Sequence, residues 1–349
     1  MKNNIIKSTL LLSIFLLAGF SVSITAQTKS PVSKKKFPIV LNHLKADSVK
    51  INEILFRPEK ILKNDNLVLI VDEGSDYYFS LYSYPDFKLL KQYGKKGKGP
   101  DEIDFPPYVY YFDKEKIDFF DYHRNAIFEL QLNEQKNSLK VLQVLSPDLI
   151  EIQNAIQLSD TMVSGSGARK GKVFFYNTRT DDIRYYDYDN EVKIPEQHQH
   201  IIYSGSIGAN FISKKLIFAT QYFDNYEAYD FMGNRILSVF NPDEKQVFFK
   251  NGYLTNQDAK MYYTAVFATE QYFYLLSYGG RSTKQLMKLL EKQGENICEI
   301  QKYTWKGKPV ESFVIDKPVK SFFVDESQNA IYIINSVSED FPVVKYRIK

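Results

Sequence analysis

The chain has 349 residues, with 45 lysines and arginines against 42 aspartates and glutamates. This near balance argues against a nucleic-acid-binding protein, which needs a basic surface for contact with phosphates. The length is sufficient for a large hydrophobic core, in one repeat-built domain or in two ordinary domains. Cys298 is the only cysteine, so no intrachain disulfide can form and stability must come from that core.

The first 26 residues have the pattern of a secretory signal peptide. Two lysines precede an apolar run at 10–20, and Ala26 offers a cleavage site. The run is shorter than the about 20 residues that span a bilayer, although an uncleaved anchor is the alternative. No cysteine near the cleavage site could carry a lipid. We therefore expect a periplasmic or secreted protein with neither a membrane span nor a lipid anchor.

Residues 27–36 are polar and basic and contain Pro31, which is typical of a linker. After this linker, short β-branched or aromatic runs are separated by turn residues, and each run predicts a strand. These runs are 67–71, 77–82, 108–112, 117–120, 172–176, 215–219, 272–276 and 330–334. Residues 37–349 are therefore predicted to form one all-β domain.

Polar hairpin tips recur between the predicted strands, at Asp86, Asn137, Asn190 and Gly233. Successive tips are 51, 53 and 43 residues apart, close to the period of about 40 to 50 residues of β-propeller blades. The step from Gly233 to the next tip, Gly307, is 74 residues. A short helical insertion at 282–294, with a capping-type start and a glycine end, explains this longer step. Its leucines are expected to pack on the propeller, with a partner-binding face as the alternative.

The spacing predicts a six-bladed β-propeller whose last blade lacks one strand. Residues 321–324, 330–337 and 343–349 supply three strands, whereas the strand at 37–41 has no blade of its own. Pairing this first strand with the last blade would complete that blade and cover an exposed sheet edge. We therefore predict a ring that the N-terminal strand closes.

Residues 93–102, Tyr-Gly-Lys-Lys-Gly-Lys-Gly-Pro-Asp-Glu, form a glycine-rich connection between predicted strands. This connection resembles the passage between blades in the TolB-like six-bladed propellers, which are exported proteins of Gram-negative bacteria close to the NHL-repeat propellers. The Gly-Lys-Pro-Val tip at 307–310, with Ser-Phe-Phe-Val-Asp-Glu at 321–326 and Ala-Ile-Tyr at 330–332, resembles the closing blade of that family. The resemblance covers residues 37–349 and implies the fold more than a chemical activity.

The candidate site residues lie in this connection, as an interaction loop or as a structural loop between blades. They are Lys95, Lys96, Gly97, Lys98, Gly99, Pro100 and Glu102. The glycines permit a sharp turn, and the lysines keep the loop solvated. A phosphate-binding P-loop needs Ser or Thr after its lysine, but Gly99 follows Lys98. The loop therefore does not predict nucleotide binding, and we expect no cofactor.

Motifs for metal binding or nucleophilic catalysis are weak. His198 and His200 would lie on one side of an extended segment as candidate metal ligands, although a solvated loop is the simpler interpretation. Ser166 and Ser206 do not match G-x-S-x-G, and Cys298 lies in a strand-like run where burial is expected. A site built from single residues of several blades would leave no short motif.

Aromatic residues make up 15% of the chain, more than strand cores need, so some must face outward. We predict an exported, monomeric, non-catalytic binding module that uses a propeller face for a glycan, peptide or protein ligand. The alternative is a propeller hydrolase or lyase with a site at the central channel. Carboxylates or histidines converging at one mouth of the channel would favour the enzyme, and exposed aromatic side chains would favour binding.

Overall fold

The computed structural model describes residues 37–41, 44–132, 138–187, 194–241, 249–250, 253–254, 259–290, 296–335 and 342–348. The strands of these residues are β1 (Ile39–Leu41), β2 (Lys45–Ser48), β3 (Pro58–Asn64), β4 (Leu67–Asp72), β5 (Tyr77–Ser83), β6 (Leu89–Lys95), β7 (Tyr108–Phe112), β8 (Lys116–Asp121), β9 (Ala126–Gln131), β10 (Ser138–Val144), β11 (Asn154–Ser159), β12 (Met162–Ser166), β13 (Val173–Asn177), β14 (Asp182–Tyr186), β15 (Gly205–Asn210), β16 (Lys215–Thr220), β17 (Asp224–Asp230), β18 (Arg235–Asn241), β19 (Phe249–Lys250), β20 (Tyr253–Leu254), β21 (Lys260–Ala268), β22 (Tyr272–Ser282), β23 (Cys298–Thr304), β24 (Pro309–Ile315), β25 (Val319–Asp325), β26 (Ala330–Asn335) and β27 (Val343–Arg347). The helices are α1 (Glu196–Ile202) and α2 (Thr283–Leu290). The predicted signal peptide (1–26) and linker (27–36) lie outside the described residues.

The strands form the six blades of a propeller, which confirms the predicted fold. Blades I to IV are β3–β6, β7–β10, β11–β14 and β15–β18, blade V is β21–β24, and blade VI is β25–β27 with β2. Strands β19 and β20 form a separate two-stranded sheet. The first strand of every blade lines one common cavity on the axis, so these six strands are the innermost.

The predicted apolar runs coincide with strands that neighbouring blades cover on both faces. In β4, for example, every residue after Leu67 is buried, so its sequence is continuously apolar and not alternating. Aromatic pairs fill the spaces between blades. Ring centroids lie 5.8 Å apart for Phe79 and Phe119 and 5.9 Å apart for Tyr226 and Phe273. Such pairs contribute about 0.5–1.5 kcal/mol each beyond their burial.

The N-terminal segment closes the ring, as predicted, through a strand that begins at Lys45. Strand β2 pairs antiparallel with β27, with Ala46 opposite Tyr346, and is the fourth strand of blade VI. Strand β1, the predicted closing strand, instead pairs in parallel with β24 in blade V, with Val40 opposite Ser312. An outer strand lies at the surface, so β2 is polar and its sequence, Lys-Ala-Asp-Ser, carries no apolar pattern.

Helix α2 confirms the predicted insertion within its described residues, and 291–294 lie outside them. Its start is a capping box, because Ser282 N donates to Gln285 Oε1 at 2.8 Å and Gln285 N donates to Ser282 Oγ at 3.3 Å. Leu286 is buried in the core between blades V and VI. The leucine face therefore packs on the propeller.

The histidine segment is a helix, so the prediction of a loop there is wrong. Pro195 precedes α1 and Glu196 lies in its first turn, both of which are typical of helix starts. Ile202 is buried and anchors the other end of the helix.

The hairpin tip of blade III lies before the position predicted for it. The tip of blade III connects β13 to β14 at 178–181, and β14 ends at Tyr186. Asn190 itself lies outside the described residues. Aspartate and asparagine favour turns in any connection, so composition alone did not separate a tip from a passage between blades.

Side chains of one blade also bond to the inner-strand backbone of another. Asn64 Nδ2 donates to Phe112 O at 2.6 Å, and Ser206 Oγ donates to Thr264 O at 2.7 Å. Across the closure of the ring, Ile61 N donates to Ser321 Oγ at 3.2 Å. These bonds tie the blades together at the axis, where the inner strands have no further strand to pair with.

A buried ion pair joins blades III and IV. Lys172 Nζ lies 3.2 Å from Glu227 Oε1, and the two side chains are 2% and 1% exposed. Ser238 Oγ donates to the same carboxylate oxygen at 2.9 Å, and Tyr229 donates to the other. A buried charge that loses its partner is strongly destabilising, so the two residues depend on each other.

Removal of residues 37–48 should destabilise the ring, because it removes the strands that cover β24 of blade V and β27 of blade VI. We expect a loss of about 2–4 kcal/mol, from a few backbone hydrogen bonds of about 0.5–1.5 kcal/mol each, measured by urea denaturation. A variant lacking only 37–41 loses β1 and should keep most of the stability. Unchanged denaturation midpoints for both variants would contradict closure by β2.

The substitution Glu227→Leu should lower the free energy of unfolding by about 3–5 kcal/mol, because Lys172 would keep a buried charge without this carboxylate. Chemical denaturation measures the loss. The double variant Lys172→Met, Glu227→Leu removes both charges and should recover the part of the loss that comes from the unpaired lysine, although Tyr229 and Ser238 still lose their acceptor. Simple addition of the two single losses would show that the residues are not coupled.

Candidate functional site

The predicted loop at 95–102 is a compact connection from β6 to β7. Glu102 fastens it, because its carboxylate accepts a hydrogen bond from Lys95 Nζ at 2.8 Å and another from Gly99 N at 2.9 Å. The bond between the two side chains lowers the pKa of Glu102 and raises the pKa of Lys95. Ile103 extends the arrangement, since Gly97 N donates to Ile103 O at 3.1 Å.

Two further positions explain the composition of this loop. Gly97 has a φ of +152°, and a Cβ there would lie 2.0 Å from the Glu102 carboxylate. Lys96 Nζ donates to Glu73 O at 2.6 Å and lies 4.7 Å above the Tyr78 ring. Lys98 and Pro100 are exposed at the surface of the loop. The loop is thus held by its own hydrogen bonds while part of it remains accessible.

The loop belongs to one face of the propeller, which we call the connection face. Because antiparallel strands alternate in direction, connections into the inner strands and turns between the second and third strands emerge on the same side. The described part of this face exposes large apolar side chains from several blades. They are Ile54, Phe56, Phe105, Tyr122, Ile150 and Ile201.

Contacts between segments tie this face together. Phe105 stacks on His123 with 3.4 Å between ring centroids. Asn125 Nδ2 of blade II donates to Leu149 O at 3.2 Å, and Leu149 lies in the connection from blade II to blade III. Further along, His200 Nδ1 of α1 lies 3.3 Å from the Glu151 carboxylate. The apolar side chains therefore stand on loops that are anchored to one another.

Towards the other end of the channel, the six inner strands surround a cavity of about 270 Å³. Its walls are mainly apolar and aromatic, and its polar side chains include Lys60, Lys63 and Asn64. Lys60 Nζ donates to Val109 O at 2.5 Å and lies 4.0 Å above the Tyr108 ring. Burial lowers the pKa of Lys60 to about 7.

The histidines, serines and cysteine considered for metal binding or nucleophilic catalysis do not come together. His198 and His200 are two positions apart on α1, where such neighbours point in different directions. The described residues contain no group of three or more His, Cys, Asp or Glu that could hold a metal ion. Ser166 Oγ donates to Asn154 Oδ1 at 2.8 Å, and burial raises the pKa of the Cys298 thiol well above its usual range. These side chains serve the blade cores.

The family model of the TolB-like six-bladed propellers matches residues 40–327. The chain belongs to this family. A search of curated proteins found no match. Among solved structures, a DUF4221-family protein from Bacteroides vulgatus is 11% identical, with a TM-score of 0.54 over 87% of this chain and 95% of that one. A Bacteroides fragilis protein predicted to be exported is 12% identical, with a TM-score of 0.55 over 88% of this chain and 95% of that one.

Likeness at this level of identity shows that the TolB-like propeller shares its fold with these proteins. The family match confirms the resemblance carried by the glycine-rich loop and the closing blade. In the part of the chain that the structure describes, no helix is long and apolar enough to cross a membrane.

Lys60 and the apolar side chains of the connection face were not among the sequence candidates. Strand β3, which carries Lys60, is interrupted by charged residues and has no apolar run. Phe56 and Phe105 are isolated aromatic residues in connections between strands, and no repeating sequence pattern marks them. Lys60 follows Glu59 and precedes Ile61, so no short pattern marks it as a site residue.

The substitution Gly97→Ala should lower the free energy of unfolding. A positive φ alone costs a residue with a side chain about 1–2 kcal/mol, and the loss here should be larger because the new Cβ displaces Glu102. Chemical denaturation measures the loss. Gly279→Ala is the matched control, since Gly279 has a φ of +64° and nothing within 4 Å of a Cβ. If Gly97→Ala cost no more than Gly279→Ala, the contact with Glu102 would have no structural role.

Proposed function

We propose that this TolB-like propeller is an exported, non-catalytic interaction module that binds a protein partner through the connection face. The exposed apolar side chains of that face carry the proposal, with Ile54 75% and Phe56 67% exposed. Large apolar side chains that several blades expose on one face favour an interaction surface. The side chains stand on anchored loops, so little order has to be gained on binding.

The composition of the connection face favours a protein over a glycan. Three of its six apolar side chains are isoleucines, which offer no flat ring for stacking on sugars. The Phe105 ring already stacks on His123. Charged groups stand beside the apolar ones, such as Arg57 paired with Glu73, as in the polar rim of a protein interface.

Two further observations support an exported binding protein. The signal-peptide pattern at 1–26 favours export, and the Bacteroides fragilis protein with the same fold is predicted to be exported. The enzyme alternative would need carboxylates or histidines converging on the channel. The cavity there is instead lined by apolar and aromatic side chains, asparagines and two lysines.

Site-specific photo-crosslinking can locate the binding face. A photoreactive residue in place of Phe56 or Phe105 should capture one defined protein in cells that export the propeller. The same residue in place of Ile212 or Met232, which are 77% and 66% exposed on the opposite face, is the matched control and should not capture it. Equal capture from both faces, or capture of a second copy alone, would refute the proposal.

Binding of the purified partner should depend on the same side chains. The double variant Phe56→Asp, Phe105→Asp should weaken binding by about tenfold to a hundredfold, because buried aromatic anchors dominate interface energies. Surface plasmon resonance measures the change, and Ile212→Asp, Met232→Asp is the control. If a glycan array but no protein showed binding that these variants abolish, the partner class would be wrong.

A further inference from the structure

The channel cavity is a second site, separate from the connection face. All six inner strands contribute to it, mostly near the ends of the strands, and Phe211 and Ile212 of the turn after β15 stand at its mouth. The cavity therefore opens towards the face opposite the connection loops. A cavity of about 150 Å³ holds one benzene ring, so 270 Å³ is enough for a small ligand with an apolar body.

Lys60 differs from the other lysines in the interior. Lys63, its neighbour on β3, lies 3.5 Å from the Asp325 carboxylate. Lys172 lies 3.2 Å from Glu227. In the described part of the chain, Lys60 has no carboxylate within ion-pair distance, and its contacts are the Val109 carbonyl and the Tyr108 ring. Charged groups that are withdrawn from water are normally paired, whereas the half-buried Lys60 ammonium has no counterion among the described residues.

We propose that the cavity binds a small organic monocarboxylate, whose carboxylate pairs with Lys60 Nζ and whose apolar body packs against the aromatic walls. A ligand with a single negative charge is favoured, because Lys60 is one ammonium group and the other lysine of the cavity, Lys63, is already paired with Asp325. Phe112, Phe211 and Phe322 supply apolar surface.

Binding of this kind is coupled to protonation of Lys60. Lys60 lies over the ring of Tyr108 on β7, and burial keeps the Tyr108 hydroxyl neutral by raising its pKa well above its usual value. The other charged groups on β3 are paired with residues of β25, Lys63 with Asp325 and Glu59 with Lys320. Because the pKa of free Lys60 is about 7, affinity should be full below pH 7 and fall about tenfold for each unit above it.

Isothermal titration calorimetry with benzoate, phenylacetate and hexanoate tests the proposal on the mature protein. At least one of these probes should bind at pH 6 and weaken about a hundredfold by pH 9. Benzamide, which has the shape of benzoate without its charge, should bind at least tenfold more weakly at pH 6. No binding by any of the carboxylates, equal binding of benzamide, or tighter binding of inorganic phosphate would overturn the proposal.

Variants assign the effect to Lys60. Lys60→Met should abolish the pH dependence and weaken binding at least tenfold at pH 6, with thermal melting as the check on folding. Lys60→Arg keeps the charge and should bind with an affinity that no longer changes between pH 6 and pH 9. Lys91→Met, on the exposed outer strand β6, is the control and should bind as the parent does. Carboxylate binding that survives Lys60→Met unchanged would place the anion elsewhere.

The connection-face variants should leave this binding intact, so the two proposals fail independently.

Discussion

Six sheets can stand around one axis only if each buries both faces against its neighbours and the last sheet meets the first. The packing of whole sheets against each other therefore governs this molecule. It explains why middle strands such as β4 are apolar throughout, and why aromatic rings such as Phe79 and Phe119 meet between blades. The same constraint explains the position of β2, because the chain passes from this outer strand of blade VI to β3, the first strand of blade I.

The packed faces of the blades are unavailable for recognition, so function is left to the two ends of the axis. At one end, loops such as 95–102 are fixed by their own hydrogen bonds and hold apolar side chains in solvent. Towards the other end, the backbones of six strands converge on a cavity. The two ends differ in chemistry, since one is a broad surface and the other is a small enclosed space with an ammonium group inside it. A single ring can thus carry two sites that do not compete.

The fold was predictable from the sequence because burial on both faces produces continuous apolar runs. Runs such as 67–71 and 330–334 lie within β4 and β26. The polar closing strand β2 and the inner strand β3 gave no such runs, since one lies at the surface and the other carries Lys60 and Lys63. The glycine-rich loop was found because Gly97 and Gly99 stand out in any sequence. The connection face and the cavity were not found, because each is assembled from residues far apart in the chain.

The pairing of β2 with β27 also determines when the molecule can be finished. Lys45 meets Arg347, a partner that the ribosome adds about 300 residues later. Until β27 has been made, β2 has no partner strand in blade VI. Contacts between such distant parts of a chain slow folding, because a very long loop must close before they form. The pairing therefore joins an early strand to the last strand of the chain in one blade, and a chain truncated just before β27 would leave β2 without its partner.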